Sequence, residues 1–208
     1  MENSSVDLVP KPESVMDILV KTGAYRKGHF VYPNGKHASH YFQMPLAFRY
    51  YDNARILSVG LSRLFRMEKT ISSRLPKVSI VSPSPGGIMV AFGVREALTA
   101  EHIYWAELED GTRRFRQYIS GGDMNPAIVV DDIIRSGKAM EQGINLLREM
   151  GVEVIGCGAI VRFEDGPTEF DGVPVKSLMT YDVNFYSDEA EWKKSRNATD
   201  AEEEKVRF

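Results

Sequence analysis

Two segments of the chain run through the same succession of patterns, and that repetition restricts the fold more than any other feature. "VSIVSPSPGGIMVAFGVREALTAEHIYWAE" reads as a strand to Val81, a Pro/Gly loop, a helix to about Ala100 and a strand over Ile103–Trp105. "AIVVDD", a helix after Gly137 and "VEVIGCGAIV" follow in the same order. Strands joined through helices run parallel, with right-handed crossovers, so the expected class is α/β with a central, mostly parallel sheet flanked by helices. A chain of 208 residues that is 43% hydrophobic can bury one ordinary core.

The flanking segments fill in the organisation. In "PESVMDILVKTG", Val15, Ile18 and Leu19 fall at helical spacing and Gly23 is placed to end the helix. "HFVYPNGKHASHYFQM" reads as two strands around Pro33, Asn34 and Gly35, a hairpin apart from the main sheet. A helix is expected to start at Asp52 as N-cap. "LEDGTRRFRQYISGGDMNP" is expected to be a hairpin or mobile flap, with Glu107 and Asp110 pairing internally. The tail from Ser187 is dense in both signs of charge and is expected to be a solvated helix or a frayed end. The expected divisions are residues 1–50 for the N-terminal helix and hairpin, 51–186 for the core and 187–208 for the tail.

Composition removes several functions. A net charge of -3 and a pI near 5.9 give no global attraction to nucleic acid or anionic lipid, and no helix-turn-helix segment is visible. With no apolar run of spanning length and no basic-then-apolar leader, the expectation is a soluble, cytoplasmic protein without nucleic-acid or membrane partners. Cys157, the single cysteine, lies in an apolar stretch with no His or acid beside it, as a buried inert thiol would.

The chemistry is concentrated where strands end. In open parallel sheets, ligands bind beyond the carboxyl ends of the strands, where helices begin and backbone N–H groups are unpaired. In "IVVDDIIRSGKAM", Ser136, Gly137 and Lys138 open a helix and can surround a phosphate. Asp131 and Asp132 would repel that phosphate unless the ligand also carries hydroxyls or a metal, as a ribose 5-phosphate does; the alternative is a helix cap with surface ion pairs. A Walker loop is absent, since Asp132 stands where its first glycine is required. His37 and His40 have no third His or Cys at ligand spacing, so no dedicated zinc site is expected.

The thirteen residues Ile128–Met140 resemble the phosphoribosyl-diphosphate signature of type I phosphoribosyltransferases. The blocks "TGAYRKGHFVYPNGKHASHYF", "VSPSPGGIMVAFGVREAL", "YWAELEDGTRRFRQY" and "VRFEDGPTEFDGVPVKSLMTYD" are similar, in order, to a divergent branch of its orotate phosphoribosyltransferases, over roughly residues 14 to 182. The resemblance implies that family's fold, with a small N-terminal hood, and transfer of phosphoribosyl from phosphoribosyl diphosphate to a nucleobase, orotate first. Asp131 and Asp132 would then hold the ribose hydroxyls, Arg135, Ser136, Gly137, Lys138 and Ala139 the 5-phosphate, and Pro85, Gly86 and Gly87 the pyrophosphate. Tyr41, Phe42, Arg135 and Arg162 would meet the base. Arg114 and Arg116, with Arg113, would belong to a catalytic loop that closes over the diphosphate, commonly reaching the other subunit of a homodimer. Magnesium would arrive with the diphosphate.

Several positions depart from that pattern. Arg135-Ser136-Gly137 stands where Thr-Thr-Gly or Thr-Ala-Gly is usual, and Lys138 where a small or hydroxyl residue is common. Pro33 and Gly86 stand where the well-studied enzymes carry lysines. Arg135 falls near the base, so transfer to another base, or binding of phosphoribosyl diphosphate without turnover, are the alternative readings.

Overall fold

The computed structural model describes residues 9–115, 119–195 and 203–206. The chain opens with α1 (Pro12–Thr22), β1 (Tyr25–Val31), β2 (His37–Phe42), the short α2 (Pro45–Phe48), α3 (Tyr51–Arg66) and α4 (Lys69–Ser72). The core continues as β3 (Ser79–Ser82), α5 (Ile88–Leu98), β4 (His102–Trp105), a hairpin of β5 (Glu107–Glu109) and β6 (Thr112–Arg114), β7 (Ala127–Ile134) and α6 (Lys138–Glu149). It closes with β8 (Val154–Phe163), β9 (Glu169–Phe170), β10 (Val173–Tyr181), β11 (Phe185–Tyr186), α7 (Glu189–Lys194) and β12 (Glu203–Lys205).

Six strands form the main sheet in the order β4-β3-β7-β8-β10-β9, parallel except for β9 at the edge. The α/β expectation holds because β3, β7 and β8 are apolar on both faces, as strands covered on both sides must be. Ile80, Ile128 and Val130 join the core under α3 and α5, whereas Val81, Val129 and Cys157 join the one under α6. From β3 the chain crosses to β4 on one side, and from β7 to β8 on the other. Strand order therefore reverses between β3 and β7, leaving the loops after these two strands side by side at a topological switch point.

α1 runs where its apolar spacing puts it, with Val15 and Leu19 fully buried and Gly23 in the left-handed conformation at φ 74°. Cys157 is buried and free, and its desolvated thiol is pushed up to about 12. Two expectations need correction. Asp52 is not the N-cap of α3; Tyr50 is, and Asp52 lies in the first turn, where its charge favours the positive helix end.

The tail is also not merely solvated. Trp192 of α7 is 2% exposed, stacks on His29 at 3.7 Å between ring centroids and donates from Nε1 to Ser39 Oγ at 2.9 Å. β12 pairs parallel with β1, giving a second, four-stranded sheet in the order β11-β2-β1-β12. The hairpin does sit apart from the main sheet, but strands from beyond residue 180 complete its sheet, so the hood is not confined to residues 1–50. Burial of one indole outweighs the solvation preference of exposed charges around it. Trp192→Ala is therefore expected to cost about 3–5 kcal/mol of stability, read as a lowered denaturant midpoint; a loss below about 1 kcal/mol would mean α7 is only loosely docked.

Candidate active site

β7 does not stop at the carboxylates. Its ladder with β8 continues through Asp131↔Ala159 to Ile134↔Arg162, so the aspartates belong to the strand. Backbone pairing is indifferent to side-chain charge, and the apolar run that ends at Val130 stops short of the strand, which continues to Ile134. Both carboxylates meet the loop after β3. A Cβ on Gly87 would lie 2.6 Å from Asp131 Oδ1, and one on Gly86 would lie 3.0 Å from each Asp132 carboxylate oxygen. At Gly87 no larger residue lets the loop pass so close to the Asp131 backbone.

Asp131 is 4% exposed. Its Oδ1 accepts from Ser84 Oγ at 2.7 Å and from the Asp132 backbone N–H at 3.0 Å, while Asp132 Oδ1 accepts from the Ile133 N–H at 2.8 Å. These bonds do not offset the loss of water. Desolvation, then the charge of Asp132, raises the Asp131 carboxyl well above the usual range, and desolvation raises Asp132 as well. A buried acid beside a half-buried one, resisting ionising together, marks a place where an outside group supplies compensating hydrogen bonds or charge. A surface cap with ion pairs, the alternative from sequence, does not describe a carboxylate buried to this degree.

Asp131 and residues 133–140 line a half-open hollow of about 130 Å³. Gly137 takes φ 74°, which turns the chain from β7 into α6 and leaves the helix N-terminus facing that hollow. Its absent side chain also admits Pro167 and Phe170, since a Cβ there would lie 2.5 Å from Pro167 Cγ. The first intrahelical bond runs from the Glu141 N–H to the Gly137 carbonyl, so the N–H groups before it are available to an anion. The hollow could hold on the order of four waters, comparable with the four oxygens of a phosphate.

No family model matches the chain. Curated proteins do. It is 31% identical over 175 residues to the orotate phosphoribosyltransferase of Thermotoga petrophila, covering 84% of this chain and 89% of that one. The chain belongs to the orotate phosphoribosyltransferase family. The orotate phosphoribosyltransferase of Caldanaerobacter subterraneus is 32% identical over 177 residues, covering 85% and 88%. The crystal structure of orotate phosphoribosyltransferase from Aeropyrum pernix shares the fold, with a TM-score of 0.64 over 80% of this chain and 93% of that one at 22% identity. This is the type I phosphoribosyltransferase fold, and membership makes the chain an enzyme of the pentosyltransferase class.

The remaining phosphoribosyltransferase positions are distributed unevenly. Arg135 is exposed, and its guanidinium reaches across to the hood, 5.9 Å from the Tyr32 ring centroid and 5.3 Å from that of Phe185. Arg162 donates to the carbonyls of Phe163, Glu164 and Gly166 and to Thr180 Oγ1, and so shapes the turn after β8. That turn abuts Arg135, because a Cβ on Gly166 would lie 2.6 Å from the Arg135 carbonyl oxygen.

Tyr41 and Phe42 are both 8% exposed and pack in different clusters, Tyr41 with Phe30 and Tyr32, Phe42 with Tyr25, Phe163 and Tyr181. The arginine segment is a hairpin, as expected, with Glu107 opposite Arg114. Arg113 donates from Nε to Gln142 of α6 at 3.3 Å, and Arg114 is exposed. Arg116 lies outside the described residues. Sequence reasoning misses Ser84 as a partner of Asp131 and Tyr32 and Phe185 as partners of Arg135, since all three contacts are between distant elements.

Proposed function

We propose that this chain transfers the 5-phosphoribosyl group of phosphoribosyl diphosphate to orotate, giving orotidine 5-phosphate and pyrophosphate. The observation that carries the reading is the pair of buried Asp131 and half-buried Asp132, pressed against Gly86 and Gly87 at the switch point beside the α6 N-terminus. Ribose hydroxyls donate to the aspartates, the 5-phosphate accepts from Ser136, Lys138, Ala139 and the N–H groups around Gly137, and pyrophosphate lies along Pro85–Gly87. A ring nitrogen of the base, its proton released to water, attacks C1 of the ribose as the bond from C1 to the pyrophosphate oxygen breaks, and the bonding pair leaves with pyrophosphate. Positive charge develops on the ribose ring between the two. The nearby carboxylates stabilise it, and positioning of donor and acceptor supplies the rest.

The acid pair and the backbone donors fit a diphosphate that enters with magnesium. Asp131 and Asp132 keep carboxylate oxygens beyond those bonded within the protein, and the ion supplies charge neutralisation on the leaving group when bound. Arg114, on the β5–β6 hairpin, adds positive charge toward the same oxygens, and Arg116 is assigned the same task by its charge alone. Arg135 and Arg162 serve the carboxylate-bearing base, Arg135 directly from its place under the hood aromatics and Arg162 by holding the turn beside it; Tyr41 and Phe42 form the hood wall behind them. The enzyme works as a cytoplasmic homodimer. A groove of about 490 Å³ between α3 and α5, with Tyr51 76% and Phe92 52% exposed, is the apolar face that a second copy would cover. Among the described residues no helix is long and apolar enough to cross a membrane.

Incubation with magnesium, phosphoribosyl diphosphate and separate bases tests this directly. Product nucleotide is expected with orotate, and turnover with a different base instead would reassign the substrate. Arg135→Ala is expected to raise KM for orotate about tenfold to a hundredfold, the effect of one lost charge-assisted bond, with KM for phosphoribosyl diphosphate changed far less. Equal shifts in both constants would place Arg135 on the phosphate rather than on the base.

A further inference from the structure

We infer that His29, His37 and Glu203 form a site for one zinc-like divalent cation that fastens the C-terminal strand β12 to the hood. Among the described residues this is the one group of three His, Cys, Asp or Glu side chains whose ligand atoms lie within 4.8 Å of one another. The cluster lies on the far side of the hood's own sheet, on three adjacent strands: His37 from β2, His29 from β1 and Glu203 from β12. His29 and Glu203 are register partners in the parallel β1–β12 pair, so their side chains leave the sheet on the same face. His37 and His40, the pair visible in sequence, are three residues apart on one strand and face opposite ways. His37 instead meets His29, which follows Lys27 into a register shift between β1 and β2 that re-aims the side chain.

The donor set and its surroundings suit a metal. His29 and His37 are 3% and 9% exposed, with His29 Nε2 and His37 Nδ1 2.7 Å apart, a hydrogen bond in which one ring donates and the other accepts. Tetrahedral zinc at about 2.0–2.1 Å from each nitrogen needs them roughly 3.3 Å apart, so the rings must separate by about 0.6 Å. The His29 ring lies flat on the Trp192 indole, 6° from parallel, and can slide in its own plane without losing that contact. Trp192 is itself held by its bond to Ser39, the kind of outer support that orients metal-binding imidazoles. Two imidazole nitrogens and one carboxylate oxygen favour zinc over magnesium, which takes oxygen ligands, and leave a fourth position for water. The site would tie residues more than 160 positions apart in sequence into one face of the hood.

Untagged protein freed of metal with a chelator is titrated with zinc chloride in excess magnesium, by calorimetry and by tryptophan fluorescence. One zinc per chain is expected, with a change in Trp192 emission and a higher melting temperature, because an ion that binds only the folded state stabilises it. Glu203→Gln and His37→Asn are each expected to weaken zinc at least tenfold, since losing even an outer-shell partner costs about 10–100-fold. Asp131→Asn with Asp132→Asn is expected to leave it unchanged. If His37→Asn fails to fold by circular dichroism, Glu203→Gln, an exposed position, decides alone. Absence of saturable zinc binding, or zinc affinity unaltered by Glu203→Gln, overturns the proposal.

Discussion

Asp131→Asn combined with Asp132→Asn is expected to lower kcat/KM by roughly a hundredfold to ten-thousandfold while raising the melting temperature of the free protein. Both effects come from the same charges. Each hydrogen bond to an ionised carboxylate contributes about 1.5–3 kcal/mol, and two are removed. Without ligand those charges are a burden, because burial and mutual repulsion raise both carboxyls above their ordinary values. Between the unfolded-state value, near 4, and the raised folded-state values, the native protein binds more protons than the unfolded chain. Stability from this pair is therefore favoured below that window and is lost as pH rises through it. An amide oxygen at each position can still accept, from Ser84 at the first and from the Ile133 N–H at the second, so the fold is preserved. Thermal melts of both proteins between pH 5 and pH 8 should show the variant's advantage growing with pH, at about 2–4 °C for each kcal/mol of relief. A variant that melts below wild type at pH 8, or that keeps full activity, would contradict this account of the pair.

Gly87→Ala is expected to be the most damaging single methyl group that can be added to the site. The new Cβ would lie 2.6 Å from both Asp131 Oδ1 and Ser82 Oγ and 2.9 Å from Asp131 Cα, a backbone atom in a central strand that has nowhere to go. Gly87 has an ordinary helical φ of -80°, so the cost is steric, not conformational. Overpacking of this kind costs about 1–3 kcal/mol and displaces the loop proposed to receive pyrophosphate. Affinity for phosphoribosyl diphosphate is expected to fall about tenfold or more, one factor of ten for each 1.4 kcal/mol. Gly86→Ala is the control, because the atoms nearest its Cβ belong to the Asp132 carboxyl, at 3.0 Å and beyond, the end of a side chain and not backbone. Equal effects of the two substitutions would show that crowding against β7 is not what fixes this loop.

Much of the site is legible in the sequence, because local rules govern it. The repeated strand–loop–helix order places both loops at strand ends, and Gly137 marks the turn into α6. What escapes is non-local. Sequence pattern ends the strand at Asp131 and Asp132, because side-chain polarity hides a backbone ladder that runs on to Ile134. The tail reads as solvated because its charges outnumber its apolar residues; the single Trp192 among them is the signal that it docks. His29 is not linked to His37 by sequence because the register shift that joins them depends on strand pairing, and Glu203 reaches them only through β12. Arg135 likewise finds Tyr32 and Phe185 only once hood and core are folded together.

On the proposed function, the aspartate pair, the Gly86–Gly87 loop and the α6 N-terminus form one site for phosphoribosyl diphosphate. Calorimetric titration of that ligand with magnesium into wild type and into the variant carrying both Asp131→Asn and Asp132→Asn tests it most directly. Saturable binding of one ligand per chain, weakened at least a hundredfold in the variant, is the result expected from two lost charge-assisted bonds. Binding of equal strength in the two proteins would place the ligand elsewhere and contradict the account.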